Sequence, residues 1–221
     1  MPPIILAWSS GKDSAFTLHH LRSDNQYQVI ALLTTLTADY DRISMHGVRI
    51  SLVEQQAKSL GLPLEIVTIT KNAPNEEYEA RMAAALTRYQ QKGVNAVAFG
   101  DIFLEDVRQY RLDNLAKLGM QGVFPLWLKD SHELVRAFID LGFKAVTTCI
   151  DTQVLDARFA GRLIDESFLA ELPEGIDPCG ENGEFHSFVF DGPVFKEPVP
   201  FTFGERVLRD ERFAYIDLLP G

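Results

Sequence analysis

Apolar positions in the first 125 or so residues alternate between short unbroken runs and stripes at helical spacing. Residues 4–8 form a compact apolar run that meets a Ser/Gly turn. Beyond it Ala15, Leu18 and Leu21 recur at every third position, so the segment reads as strand, loop and helix. A strand over 29–35 follows, then a helix carrying Ile50, Val53, Ala57 and Leu60, then a strand over 64–69. A helix with Tyr78, Met82, Leu86 and Tyr89 on one face precedes a strand over 96–99. Strands that are apolar throughout are covered on both faces, and their alternation with helices predicts an α/β fold on an open parallel sheet with flanking helices.

The pattern changes in the second half. A helix bearing Leu134, Phe138 and Leu141 opens at the capping pair Asp130 and Glu133, a strand over 145–150 follows, and a helix with Leu155, Phe159, Leu163 and Phe168 comes next. From Pro173 the chain is rich in Gly, Pro and aromatic residues, and alternation over 185–190, 199–203 and 213–218 predicts strands and turns. The expected division is a first domain over 1–127 and a smaller C-terminal α+β lobe over 128–221, with no internal repeat.

Composition narrows the function classes. A hydrophobic share of 46% with 24% charged residues is that of a soluble globular chain. No apolar run approaches the ~18–20 residues of a membrane span, and the N-terminus lacks the basic flank of a signal peptide, so a cytoplasmic location is expected and a membrane partner is not. The net charge of −10 opposes binding to a long nucleic-acid backbone, although local donors can still hold a small anion. Cys149 and Cys179 stand in no CxxC or Cys/His spacing, so neither a disulfide framework nor a zinc site is indicated.

The most informative segment is Ser9-Ser10-Gly11-Lys12-Asp13-Ser14, which leaves the first strand and opens the first helix. There the loop's N–H groups and the helix N-terminus converge on one point, an anion site. Gly11 allows close backbone approach, the hydroxyls of Ser9, Ser10 and Ser14 add donors, and Lys12 brings positive charge to a leaving phosphate. Walker A is excluded, because Leu6 stands where its first glycine belongs and Asp13 where its hydroxyl belongs. The competing reading is a polar turn that only caps a helix. Lys12 and Ser14 are expected to face solvent.

This segment resembles the SGGxDS loop of the N-type ATP pyrophosphatases, the PP-loop family, whose fold is a five-stranded parallel sheet flanked by helices, adenine nucleotide α-hydrolase-like. Ser10 replaces a glycine of that pattern, at a cost of about 1 kcal/mol or more if the position needs a positive φ. Met45-His46-Gly47-Val48-Arg49, Gln55-Gln56-Ala57 through Gly61-Leu62-Pro63-Leu64, Phe99-Gly100-Asp101-Ile102, Pro125-Leu126-Trp127 and Gly180-Glu181-Asn182-Gly183-Glu184-Phe185-His186 extend the resemblance to the diphthine–ammonia ligase branch and its bacterial relatives. The resemblance implies that ATP activates an acceptor carboxylate as an adenylate, that ammonia completes an amide, and that AMP and pyrophosphate leave. It places His46 and Gly100 beside the nucleotide.

Other residues carry two readings each. Asp101, after a strand of an open sheet, suits Mg²⁺ or hydroxyl binding as well as capping of the next helix. Arg108 and Arg111 share a helix face and can clamp an anion or sit in solvent. Trp127 can stack on a ligand or belong to the core. Glu181, Asn182, Gly183, Glu184 and His186 concentrate acid, amide and imidazole in one loop and are expected to bind the acceptor, with Glu184 and His186 on one side of a strand and facing the nucleotide cleft. The branch pattern there is GEGGEYET, so Asn182, Phe185, His186 and Ser187 depart from it, and the identity of the acceptor is left open. A nucleotide-binding sensor without turnover and a tRNA-modifying PP-loop enzyme are the alternatives. Homo-oligomerisation is left open.

Overall fold

A computed structural model describes residues 1–38, 41–43, 46–70 and 74–221. The chain runs β1 (Pro3–Ala7), α1 (Lys12–Asp24), β2 (Gln28–Thr37), β3 (Arg42–Ile43), α2 (Ile50–Leu60), β4 (Leu64–Ile69), α3 (Asn75–Gln90), β5 (Ala96–Ala98), α4 (Glu105–Ala116) and β6 (Gln121–Val123). It continues as α5 (Ser131–Asp140), β7 (Lys144–Asp151), a 3-10 turn (Ala157–Phe159), α6 (Glu166–Glu171), β8 (Phe185–Asp191), β9 (Phe201–Arg209) and β10 (Phe213–Pro220).

β4, β2, β1, β5 and β6 lie side by side and all run parallel, while β3 pairs antiparallel with the end of β2. This is the adenine nucleotide α-hydrolase-like arrangement that the alternating pattern and the resemblance imply. The unbroken apolar character of β1 has a direct cause. Ile4 and Leu6 join a core with Leu18 of α1 and Leu52 of α2, whereas Ile5 points to the opposite face and packs with Leu86 of α3. Strand order reverses at β1, between β2 on one side and β5 on the other, and ligands of open α/β sheets bind at such a switch point.

The C-terminal part carries a second sheet, β8-β7-β10-β9, antiparallel throughout. It shares its core with the first sheet. Phe16 of α1 meets Phe138 and Phe143 edge-on at 6.1 Å, and those two rings stack at 4.7 Å. Asp217 of β10 holds Arg42 of β3 at 2.8 Å and Arg49 at 2.6 Å. Asp130 caps α5 by accepting the Glu133 N–H at 3.0 Å, as its sequence predicts.

The continuous helix expected across 155–168 is not formed. Asp156 and Asp165 each cap a separate short element, and Gly161, at φ +79°, turns the chain between them so that Leu163 bridges Val146 of β7. Two capping aspartates and a left-handed glycine outweigh the apolar spacing. No helix among the described residues is long and apolar enough to cross a membrane.

Candidate functional site

The loop between β1 and α1 sits at the switch point and is held from three directions. Ser10 takes φ +68°, the left-handed conformation that its replacement of a glycine foreshadows, and its hydroxyl is buried with no hydrogen-bond partner among the described residues. Its carbonyl accepts the N–H of Val189 on β8 at 3.0 Å and the Gln56 amide at 3.1 Å. Gln56 also donates to the Val189 carbonyl and accepts from the Trp8 indole at 2.9 Å. The Ser187 hydroxyl accepts the Lys12 N–H at 3.1 Å. A side chain at position 11 would meet His46 Cε1 at 3.0 Å and the Ser187 carbonyl oxygen at 3.1 Å, so Gly11 is required by close approach.

Inside the loop, Ser14 donates to the Gly11 carbonyl at 2.9 Å, and the Ser9 and Ser14 hydroxyls stand 3.3 Å apart. Lys12 and Ser14 are buried, at 2% and 3% exposure, which corrects the expectation that they face solvent: β8 closes over the first turn of α1. The Lys12 ammonium pairs with the Asp13 carboxylate at 2.5 Å. Burial works against the lysine's charge, but Asp13 and the acids beyond it outweigh that penalty and its pKa is raised. Lys12 therefore stays cationic at neutral pH.

A cleft opens beside this loop. Its walls include Ser9, Asp13 and Ser14, Thr34 and Thr35 of β2, Ile69 of β4, Gly100 and Asp101 after β5, and the 179–187 segment. A Cβ at Gly100 would stand 2.9 Å from the Asp13 backbone, so the β1–α1 and β5–α4 loops can touch only with glycine there. Asp101 is nearly buried and accepts from Arg111 Nη2 at 3.1 Å, so the two readings of Asp101 are joined by a third, ion pairing. Arg108 lies over the Trp127 ring at 4.6 Å, and neither residue lines the cleft.

The 177–184 segment is a tight turn built around Glu184. That carboxylate accepts from the Asp177 N–H at 3.1 Å and the Asn182 amide at 2.9 Å, and it is 5% exposed. Glu184 thus faces into its own loop rather than the cleft, correcting the expected Glu184–His186 pairing. Two backbone and amide donors captured its oxygen, and the strand whose alternation would have aligned the two starts only at Phe185. Glu181 does line the cleft. Its Oε1 accepts the Ile102 N–H at 2.7 Å, linking the loop to the β5–α4 connection. Burial first, then repulsion from Asp13 and Asp101, outweigh that hydrogen bond and lift its carboxyl to about 7.

His186 lines the cleft and pairs with His46, ring centroids 4.5 Å apart. His46 Nδ1 lies 3.2 Å from the Ser187 carbonyl oxygen, which can only accept, so Nδ1 carries the hydrogen and Nε2 the lone pair. Burial, then the neighbouring His186, hold His46 down to about 3; burial, then Lys12, hold His186 down to about 4. Met45, quoted in the same motif, lies outside the described residues. Cys179 adjoins the cleft and Cys149 lies in β7; burial pushes their thiols up to about 12 and about 11, so neither is a thiolate at neutral pH.

Gln56 and Ser187 are the residues that motif reading passed over as functional. Gln56 leaves one trace in the sequence, an amide on the apolar stripe of Val53, Ala57 and Leu60, where it is fully buried.

The diphthamide synthase N-terminal domain matches residues 3–122, and the diphthamide synthase C-terminal domain matches residues 130–216. A Danio rerio protein named diphthine–ammonia ligase is 29% identical over 234 residues, covering 96% of this chain and 91% of its own length. The Homo sapiens protein of that name is 26% identical over 241 residues, covering 96% and 87%. A Schizosaccharomyces pombe protein of that name is 26% identical over 216 residues, and this chain spans 35% of its length.

Proposed function

The chain belongs to the diphthamide synthase family, and we propose that it is an ATP-dependent, AMP-forming carbon–nitrogen ligase acting in the cleft beside the β1–α1 loop. The acceptor carboxylate attacks the α-phosphorus of ATP, the bond to pyrophosphate breaks, and ammonia then displaces AMP from the acyl-adenylate to leave an amide. The relatives' name, diphthine–ammonia ligase, supplies ammonia as the nitrogen source and diphthine as the first acceptor to try.

The observation that carries this reading is the left-handed Ser10 in a loop held from β8 and α2, at the switch point of the parallel sheet. Donors fixed before the ligand arrives need no reorganisation when charge develops on the phosphates. In this role Lys12 holds positive charge next to the departing pyrophosphate, and Ser9 and Ser14 offer hydroxyls to its oxygens. Glu181, with a carboxyl near 7, exists in both protonation states at neutral pH and suits acceptance of the ammonium proton as ammonia attacks. Asn182, Gly183 and His186 complete the acceptor side, and Glu184 holds their loop in shape.

Mg²⁺ belongs to the same proposal. Among the described residues no three His, Cys, Asp or Glu side chains gather to hold a metal alone. Magnesium is commonly held by one or two carboxylates together with substrate phosphates, a role within reach of Asp101 on the cleft wall. Bound there it would neutralise phosphate charge.

The test is incubation with ATP, Mg²⁺, ammonium chloride and a diphthine-bearing acceptor protein. AMP and pyrophosphate released in equal amounts, with an amide on the acceptor, support the reading. ATP binding without release of AMP on any acceptor tried would establish the sensor reading instead.

A further inference from the structure

Gln56 stands on the apolar stripe of α2 and is fully buried, yet both ends of its amide are engaged. Oε1 accepts the Trp8 indole N–H at 2.9 Å, while Nε2 donates to the Ser10 carbonyl at 3.1 Å and to the Val189 carbonyl at 2.6 Å. The indole can only donate and the two carbonyls can only accept, so the amide fits in this orientation and not when flipped. One side chain thus ties together the residue after β1, the turn that follows it and β8.

What this tie holds is the peptide between Ser10 and Gly11. The Val189 N–H joins Gln56 on the Ser10 carbonyl at 3.0 Å, so that oxygen is drawn toward β8 and α2. The peptide is trans, and a trans peptide points its N–H opposite to its C=O. The Gly11 N–H is therefore turned the other way, toward Ser9, which lines the cleft. There its contact is stretched: Gly11 N lies 3.4 Å from Ser9 Oγ, longer than the roughly 2.7–3.2 Å of a well-made N–H···O bond. The nearby donors are better matched, Lys12 N–H with the Ser187 hydroxyl at 3.1 Å and Ala15 N–H with the Gly11 carbonyl at 3.2 Å. Gly11 N–H is the donor that an incoming anion can capture by displacing a weak partner.

We propose that Gln56 is a positioning residue for phosphate: by holding the Ser10 carbonyl it aims the Gly11 N–H at a phosphate oxygen in the cleft. The role rests on the nucleotide reading of the cleft given above but requires no turnover. A donor already aimed costs nothing to orient when the anion arrives, whereas a peptide free to turn gives up part of the bond's strength.

Ser10-Gly11 is the only Ser-Gly pair in the chain, so protein made with carbonyl-¹³C serine and ¹⁵N glycine gives a single doubly labelled amide signal, that of Gly11. Addition of α,β-methylene-ATP to the wild-type protein should move that amide proton downfield as it meets a phosphate oxygen. Gln56→Met, of similar length but without a donor, should lose most of the shift and bind the analogue about tenfold more weakly by calorimetry, the scale of one hydrogen bond to a charged group. Gln56→Glu keeps an acceptor for the indole but sets oxygen against the Ser10 and Val189 carbonyls; it should behave alike, and it carries the test if Gln56→Met does not fold. Val53→Ala, a buried truncation on the same helix and absent from the cleft wall, should lower the melting temperature yet leave the shift in place and the affinity within about twofold. Weakening there equal to that in Gln56→Met would reduce Gln56 to a packing role and overturn the proposal. So would wild-type binding with the Gly11 signal unmoved, or a normal shift and affinity in both Gln56 variants. If wild-type protein does not bind the analogue at all, the nucleotide reading falls and this role falls with it. Binding with the expected pattern, and no AMP in the ligase assay, leaves the role of Gln56 standing and refutes turnover alone.

Discussion

The hydroxyl of Ser187, on β8, accepts the backbone N–H of Lys12 at 3.1 Å, so a residue 175 positions away holds the first turn of α1 at the end of the β1–α1 loop. Each part of the chain therefore completes the other: the N-terminal sheet positions the loop, and the C-terminal sheet fixes its backbone. Ser187→Ala leaves that buried N–H without a partner, a cost of about 1–3 kcal/mol. It should lower both unfolding free energy and ATP affinity, read by denaturant titration and calorimetry. Ser187→Thr keeps the acceptor and should restore both. Unchanged ATP affinity in Ser187→Ala would separate the loop from β8.

Ser10 combines two penalties, a positive φ and a buried hydroxyl with no partner among the described residues. Ser10→Gly removes both, worth together about 2–5 kcal/mol, against about 1 kcal/mol for the added freedom of the unfolded chain. The variant should melt higher than wild type. Ser10→Ala removes only the hydroxyl penalty and should fall between them. If Ser10→Gly melts lower, the left-handed conformation is not a strained one.

Lys12 is buried against Asp13, so its removal is a structural as well as a chemical event. Lys12→Ala should lose stability as well as ATP turnover, because an unpaired carboxylate and a void replace the ion pair. Lys12→Met fills the void and should recover part of the stability with none of the turnover. Full activity in Lys12→Met would remove the lysine from phosphate chemistry.

Glu184 and His186, two positions apart, should fail in different ways. Glu184→Ala strips the Asp177 N–H and the Asn182 amide of their acceptor and should cost about 2 kcal/mol. His186→Ala, on the cleft wall, should stay within about 1 kcal/mol of wild type while AMP release falls with acceptor present. Equal stability losses in the two variants would return His186 to a purely structural role.

How far the sequence reveals this architecture depends on how local each cause is. The parallel sheet is legible because β1 and the Ala31–Leu33 centre of β2 carry their burial in consecutive apolar letters, and the β1–α1 loop because a Ser/Gly turn leaves the first of them. β6 was hidden: Gln121–Val123 is short and contains a glycine, and it becomes a strand only because β5 offers it an edge. Glu184 misled for a related reason. It stands just before β8, outside the strand whose alternation it was expected to share with His186, and the donors that capture its carboxylate come from a turn whose shape no spacing rule gives. Gln56 and Ser187 act on the loop from other elements altogether, across 46 and 175 positions.

The two cleft imidazoles set a pH dependence. In the native protein His46 and His186 stay neutral until about pH 3 and 4, whereas in the unfolded chain both protonate below about 6.5. For these two groups the unfolded state binds more protons in that window, so they make stability fall as pH drops from 6.5 toward 4, by up to about 1.4 kcal/mol per pH unit for each imidazole, while Glu181, whose carboxyl is lifted to about 7 in the native protein, offsets part of that slope. Denaturant titrations across that range should show the slope, and His46→Gln should flatten it.

His186→Glu, which writes the acid of the branch pattern into this chain, tests whether the ring pair itself sets that behaviour. The substitution replaces a neighbour that lowers His46 with a carboxylate a few ångströms from it. A negative charge at such range favours the imidazolium and should raise the His46 pKa by about 1 or more, read from the Cε1 proton by NMR titration. The native state would then take up a proton that wild type refuses, so the loss of stability between pH 6.5 and 4 should become shallower. The same carboxylate would line the cleft that the proposed function gives to ATP, so ATP affinity should fall at neutral pH and recover as His46 protonates on acidification. If His46 titrates as in wild type, burial alone holds it neutral, and the contact between the two rings has no part in tuning the site.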